Sequence, residues 1–307
     1  MLKNTVLDCF GEKMRKILGG YDWRNINEIR VRAERPVILK SGNNEYFVNN
    51  DGQAVFEPQK GYITEHSDLE QMVNMISDYS LYSVQEQLRK GFITVRGGHR
   101  AAFAGSYAVE NGQVCTVKNI GSINIRIAGE IKNCADDVLR FFGRNVLKNT
   151  LIISPVCGGK TTLLRDMARQ LSEDGATVGI ADERGEIAAC YMGVPQLDVG
   201  IRTDVIDGCP KADAISMLIR TMSPELICAD EIGVEEDFSA MREAALSGAF
   251  VICTAHGRDE EDIYKKFGYQ RIAEIFDRLI VLEGRNNIGK IKYIANGRGE
   301  KICLKKQ

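Results

Sequence analysis

Residues 154–162 read Ser-Pro-Val-Cys-Gly-Gly-Lys-Thr-Thr and follow the apolar run Thr150-Leu151-Ile152-Ile153. A polyphosphate needs backbone N–H groups turned inward, a helix N-terminus behind them, a lysine for the outer phosphates and a hydroxyl for Mg²⁺. Gly158, Gly159, Lys160 and Thr161 supply these in that order, and Ser154, Pro155, Val156, Cys157 and Thr162 complete the loop. The pattern departs from G-x-x-x-x-G-K-[ST] at its first position, where Ser154 replaces glycine. A side chain there is expected to crowd the turn and weaken nucleotide affinity.

A second apolar run, Leu226-Ile227-Cys228-Ala229, ends in Asp230-Glu231. Beside a phosphate loop, Asp230 is placed to hold the Mg²⁺ shell and Glu231 to orient or activate the attacking water. Without the loop, the pair would read as a charged strand end facing solvent. A third run, Thr177 to Ala181, lies between the two motifs in sequence and ends in Asp182-Glu183-Arg184. In an open parallel sheet, ligands gather at the carboxyl ends of strands. Lys160, Glu183 and Glu231 are therefore expected to converge on one crevice. An inserted strand, together with a glutamate after the Mg²⁺ aspartate, points to ATP hydrolysis for mechanical work. The run Cys253-Thr254-Ala255-His256-Gly257 puts Thr254 or His256 near the γ-phosphate as a sensor. No Asn-Lys-x-Asp guanine reader is present, and a small-molecule kinase has less use for Glu231.

These residues need a sheet to carry them. From about residue 145 onward, strand-like runs at 150–154, 177–181, 226–230, 249–254 and 278–282 alternate with helical patterns at 160–173, 210–222, 235–247 and 259–267. Such alternation predicts an α/β fold over 146–307 with a mainly parallel sheet and helices on both faces; with the phosphate loop and Asp230-Glu231 on it, a RecA-like phosphate-loop ATPase domain is expected. A smaller α+β domain over 1–145 is expected to precede it. In that part, Leu7, Phe10, Met14, Ile17 and Leu18 fit one helix, and Glu28 to Leu39 reads as a strand. Ser67–Glu70 and Ser83–Glu86 fit capping boxes. Hairpins are expected at Gly97-Gly98 and at Glu110-Asn111-Gly112. Ile123, Ile125 and Ile127 alternate along a further strand.

With 307 residues, 44% hydrophobic and 27% charged, the composition is that of a soluble globular protein. The net charge of −2 gives no global basic field, so no nucleic-acid partner is expected; only the basic hairpin Arg96 to Arg100 supports one. No apolar run approaches the roughly 18 residues that cross a bilayer. Glu12, Lys13, Arg15 and Lys16 interrupt any signal-peptide core, so a cytoplasmic location is expected. Nine cysteines without a C-x-x-C pair, and only three histidines, make neither a disulfide framework nor a zinc site.

The chain resembles the stage III sporulation protein AA family of endospore-forming bacteria, itself similar to type II and type IV secretion and pilus ATPases. In the first half the resemblance rests on Glu28-Ile29-Arg30-Val31-Arg32 and on the stretch from Glu86 to Arg100. In the second half it rests on Gly159 to Asp166, Asp182-Glu183-Arg184, Gly200 to Asp204, Asp207 to Lys211, Ile219 to Glu225 and Thr254 to Gly257. It implies an ATPase using ATP and Mg²⁺ at the mother-cell face of a secretion-like apparatus across the forespore membranes. A homo-oligomer, as a hexameric ring docked on a membrane-protein partner, is implied with it. The acidic box and the histidine box of the secretion ATPases fall on Asp182-Glu183 and His256. Arginines from the N-terminal domain or an adjacent subunit complete the site in that superfamily, and Arg96, Arg100, Arg126, Arg202 and Arg220 are the candidates.

Overall fold

The computed structural model describes residues 2–21, 23–42, 44–80, 84–89, 91–110, 113–143 and 146–302. It divides into two compact units, Met1–Gly129 and Glu130–Gln307. The division falls before residues 130–145, which the sequence assigned to the first unit.

The first unit opens with two helices in place of the single one expected, α1 (Leu2–Leu7) and α2 (Glu12–Gly19). Tight turns separate them: Cys9 N–H donates to Val6 O and Phe10 N–H to Leu7 O, both at 3.1 Å. Phe10, Met14 and Leu18 nonetheless all reach the core. The stretch from Glu28 to Leu39 is likewise two elements, β1 (Glu28–Arg32) and β2 (Ile38–Ser41), paired antiparallel with Glu28 opposite Lys40. Glu34 takes a left-handed φ of 58° in the reversal, and Pro36 has no N–H to extend a ladder. β3 (Asn44–Val48), β4 (Ala54–Val55), α3 (His66–Ile76), α4 (Gln85–Arg89), β5 (Phe92–Val95), β6 (His99–Glu110) and β7 (Gln113–Arg126) follow.

Ser67 lies inside α3, so the expected capping box is displaced. Glu65 is the cap, its N–H donating to Asp68 Oδ2 at 2.8 Å, and the Tyr62 hydroxyl donates to the same buried carboxylate at 2.6 Å. Ser83 lies outside the described residues, as do positions 111 and 112 of the second hairpin turn. Among the described residues the strands form one sheet, ordered β4-β3-β2-β1-β7-β6-β5. Ile29, Val31, Leu39, Ile93, Ile123 and Ile125 alternate onto its buried face. Each such side chain contributes about 1.5–3 kcal/mol on burial. In the register of the ladder Arg126 stands between Glu28 on β1 and Arg100 on β6.

His99 ties this unit together. It is fully buried; Thr5 Oγ1 lies 3.1 Å from its Nε2, and its Nδ1 accepts from Ala128 N–H at 3.0 Å. Acceptance at Nδ1 makes the ring neutral with its proton on Nε2, and burial pushes its pKa from 6.5 down to about 4. Below pH 6.5 the unfolded chain therefore binds a proton that the folded chain refuses, and stability falls as pH falls towards 4. The total is about 3 kcal/mol, of which about 2 kcal/mol is lost by pH 5. Urea unfolding of the parent and of His99→Gln at pH 7 and pH 5 measures this. The parent should lose that extra stability relative to the variant, whereas equal pH dependence in both proteins would contradict the burial argument.

The second unit comprises α5 (Asp136–Phe142), β8 (Thr150–Ser154), α6 (Lys160–Glu173), β9 (Val178–Asp182), β10 (Thr203–Asp207), α7 (Lys211–Thr221), β11 (Leu226–Ala229), α8 (Glu235–Leu246), β12 (Phe250–His256), α9 (Glu260–Phe267), α10 (Tyr269–Ile275), β13 (Arg278–Leu282), β14 (Ile291–Asn296) and β15 (Lys301–Ile302). The sheet order is β10-β9-β11-β12-β8-β13-β14-β15. Strands β10 through β13 of that order run parallel, and β14 and β15 close the edge antiparallel. Alternate residues of one strand feed two cores. Leu151 and Ile153 meet α7, α8, α9 and α10 on one face, while Ile152 meets α5 and α6 on the other.

Residues 130–143 join this unit through α6. The buried Asp166 accepts from Ala135 N–H at 2.8 Å and from Arg169, whose Nη2 also donates to Asn133 Oδ1 at 3.1 Å. Gln170 reaches Asp136 at 2.8 Å. The strand lying between β8 and β11 in space is β12; β9, which separates the two motifs in sequence, lies on the far side of β11.

Candidate phosphate-binding site

The all-buried strand β8 ends at Ser154, and the loop from Pro155 to Gly159 leads into α6. Ser154 is in strand conformation, so the first loop position requires no glycine. Its hydroxyl donates to Pro155 O at 2.8 Å and fills the space beneath Gly158, where an added Cβ would fall 1.8 Å from Ser154 Oγ. The expected crowding is thus absorbed one turn further on, by Gly158. Gly159 caps α6 with φ 93°, a left-handed conformation that strains any side chain, and Gly289 N–H donates to Gly158 O at 2.9 Å. Val156 and Cys157 are exposed on the loop, and Pro155 and Thr162 are half-buried.

Six residues from three strand ends meet at the start of α6. The Thr161 hydroxyl lies 3.2 Å from Asp230 Oδ2. Asp230 is buried, and its Oδ1 accepts from the Thr254 hydroxyl at 2.6 Å. Thr254 in turn accepts from Glu231 N–H at 2.9 Å, so it stands behind Asp230 and does not face the loop. Lys160, also buried, has its Nζ 3.1 Å from His256 Nε2. The same imidazole nitrogen lies 3.4 Å from Glu231 Oε1. An ammonium can only donate, so in this arrangement Nε2 accepts and the ring proton sits on Nδ1, which is buried and has no hydrogen-bond partner among the described residues. Sequence proximity to the strand ends located Lys160, Thr161, Asp230, Glu231 and His256, and the fold brings them together.

Glu231 departs from ordinary backbone geometry, with φ at 34°. A non-glycine residue there stores strain that the surroundings must offset. Its Oε2 accepts from Arg184 Nη1 at 3.2 Å, and its carbonyl accepts from Lys211 Nζ at 2.6 Å. Neither Arg184 nor Lys211 stood out as a site residue in sequence, although both fall within the stretches that carry the family resemblance. Among the described residues Glu183 joins the group through Lys211, at 3.8 Å, and is half-exposed. Its neighbour Asp182 faces inward, where its carboxylate accepts from the N–H groups of Glu186, Ile187 and Ala188. Burial is the largest influence on Asp182 and pushes its carboxyl up, with those backbone donors opposing. Arg165 holds the same loop through the carbonyls of Glu186 and Ile187.

The five arginines separate. Arg202 donates to the carbonyl of Ser172 at 2.9 Å, at the C-terminal end of α6. That helix is about 20 Å long, so Arg202 lies at the opposite end from the loop. Arg220 bonds to Ser216 O in the last turn of α7, whose first residue is the Lys211 that contacts Glu231. Neither reaches the phosphate loop of its own chain, because the loop-to-strand connections put both at the amino ends of the strands. Arg96, Arg100 and Arg126 belong to the first unit; Arg96 and Arg126 are exposed, and the Arg100 guanidinium stacks over Phe92 at 4.7 Å.

A parallel sheet whose glycine loop opens a helix on Lys-Thr, beside a strand ending in Asp-Glu, defines the α/β fold of phosphate-loop ATPases. Solved structures of that class share it. The ATPase DotB of Legionella pneumophila superposes with a TM-score of 0.55 at 17% identity, covering 87% of this chain and 75% of DotB. The pilus retraction motor PilT, solved with ADP, gives 0.52 at 15% identity, covering 83% and 74%. The chain belongs to the family described as sporulation stage III, protein AA, whose model matches residues 2–302. Stage III sporulation protein AA of Bacillus subtilis (strain 168) is 39% identical over 307 residues, covering 96% of both chains.

Proposed function

We propose that the RecA-like second unit binds and hydrolyses ATP with Mg²⁺, and that hydrolysis drives a secretion-like apparatus at the mother-cell face of the forespore membranes. The observation carrying this reading is the linked set Lys160–His256–Glu231 and Thr161–Asp230–Thr254, assembled at one end of a parallel sheet. Thr161 and Asp230 offer hard oxygen ligands 3.2 Å apart, a donor set that fits Mg²⁺. When bound, that ion neutralises charge on the phosphate oxygens. The glycine positions and the α6 N-terminus suit the phosphates themselves.

On this reading Lys160 leaves His256 for the outer phosphate oxygens. His256 Nε2 is then free to carry the ring proton and donate to Glu231 Oε1. Glu231, its other oxygen held by Arg184, orients the attacking water. Glu183 acts from the side through Lys211 rather than on the phosphate directly. The mechanical role draws support from family membership and from the fold shared with a pilus retraction motor. Among the described residues no helix is long and apolar enough to cross a membrane, so work on a membrane is assigned to a membrane-protein partner. A homo-oligomeric, hexameric ring is part of the proposal.

Purified protein should release phosphate from ATP only with Mg²⁺, and light scattering should show a larger species when a non-hydrolysable ATP analogue is added. ATP binding without phosphate release, in the oligomer as well as the monomer, would favour a nucleotide-binding scaffold instead.

A further inference from the structure

Lys211 is a charged side chain held almost out of solvent. It is only 6% exposed and opens helix α7, where the helix dipole repels a cation. Three elements converge on its ammonium. The Glu231 carbonyl, after β11, lies at 2.6 Å; Asp237 Oδ2, on α8, at 3.5 Å; and Glu183 Oε2, after β9, at 3.8 Å. Asp237 is itself buried and accepts from Gly233 N–H at 2.9 Å and from Val234 N–H, so it fixes the loop that leaves Glu231. The shortest of the Lys211 contacts falls on the one carbonyl whose residue has the strained φ of 34°.

We infer that Lys211 is a positioning residue for Glu231: its ammonium pins the Glu231 carbonyl, holds the left-handed backbone and thereby aims the carboxylate at His256 and the phosphate crevice. This inference deepens the proposed ATPase reading and rests on it. An apolar residue at 211 would release the carbonyl and let the backbone relax out of the left-handed region. The carboxylate would then swing off its line. A displacement of about 1 Å at a reacting group can cost roughly 10²-fold in rate without touching ligand binding. The phosphate contacts of Lys160 and Thr161 do not pass through Lys211, so affinity for ATP should stay.

The test is Lys211→Met, alone and combined with Glu231→Gln, with ATP-analogue affinity, kcat and melting temperature measured on each. Lys211→Met should bind the analogue within about threefold of the parent and lose about 10²-fold in kcat. In the Glu231→Gln background it should leave the residual rate unchanged, because its only route to the chemistry has already been removed. Parent-like kcat in Lys211→Met, or an equal loss in both backgrounds, overturns the inference. If Lys211→Met does not fold, Lys211→Arg keeps the charge between Asp237 and Glu183 but cannot place a single ammonium on the carbonyl. It should then lower kcat with binding retained, and parent-like turnover in that variant overturns the inference equally. Parent-like turnover in Glu231→Gln alone would instead remove Glu231 as the base, whatever Lys211 does.

Discussion

Glu231→Gln should bind ATP as the parent does and lose turnover by about 10²–10⁴-fold, whereas Lys160→Ala should lose tight binding itself. The difference follows from where each side chain acts. The Lys160 ammonium meets charge present in the ground state, and removing a buried cation from a charged pair costs about 2–5 kcal/mol of binding. The Glu231 carboxylate acts on the water, so its loss appears in kcat and not in affinity. Glutamine keeps the shape and tolerates the φ of 34° no worse than glutamate, so the fold should survive. Titration with a fluorescent ATP analogue and single-turnover phosphate release separate the two effects. Equal turnover in Glu231→Gln and the parent would falsify the assignment of the base.

Activity should also require contact between subunits. A phosphate-loop domain leaves the γ-phosphate open on one side, and a cation delivered in trans is worth about 10³-fold or more. Arg202 and Arg220 lie away from the loop of their own chain, so they, like the first unit's Arg96, Arg100 and Arg126, could supply that cation only to a neighbouring subunit. At least one alanine variant among these five should bind ATP, lose turnover by about that factor, and recover activity when mixed with Lys160→Ala subunits. Recovery is expected because the Lys160→Ala subunit lends its arginine to a neighbour whose loop is intact. The reading fails if the rate per subunit stays constant on dilution to a demonstrably monomeric state.

Local chemistry explains why so much of the candidate site is legible in the sequence. A glycine loop works through backbone N–H groups and a helix start, both encoded in a few adjacent residues, so Gly158 to Thr161 could be read directly. The buried strands β8, β11 and β12 are continuous apolar runs, and their ends located Asp230, Glu231 and His256. What the sequence could not carry was non-local. β10 was missed because it is a polar edge strand, with no apolar run to betray it. The single helix and single strand expected at the start of the chain each broke in two, since turns at Cys9–Phe10 and at Glu34 serve tertiary packing rather than periodicity. The segment around Ala135 went with the second unit because Asp166, on a helix thirty residues away, holds it by a hydrogen bond. Which strand neighbours which decided the rest. Placing β12 between β8 and β11 put His256 on Lys160 and Thr254 on Asp230, and left Glu183 beside Lys211. Composition and spacing determine which groups a chain owns. Only the folded sheet decides which of them come within 3 Å of one another, because strand order is set by the packing of both faces at once.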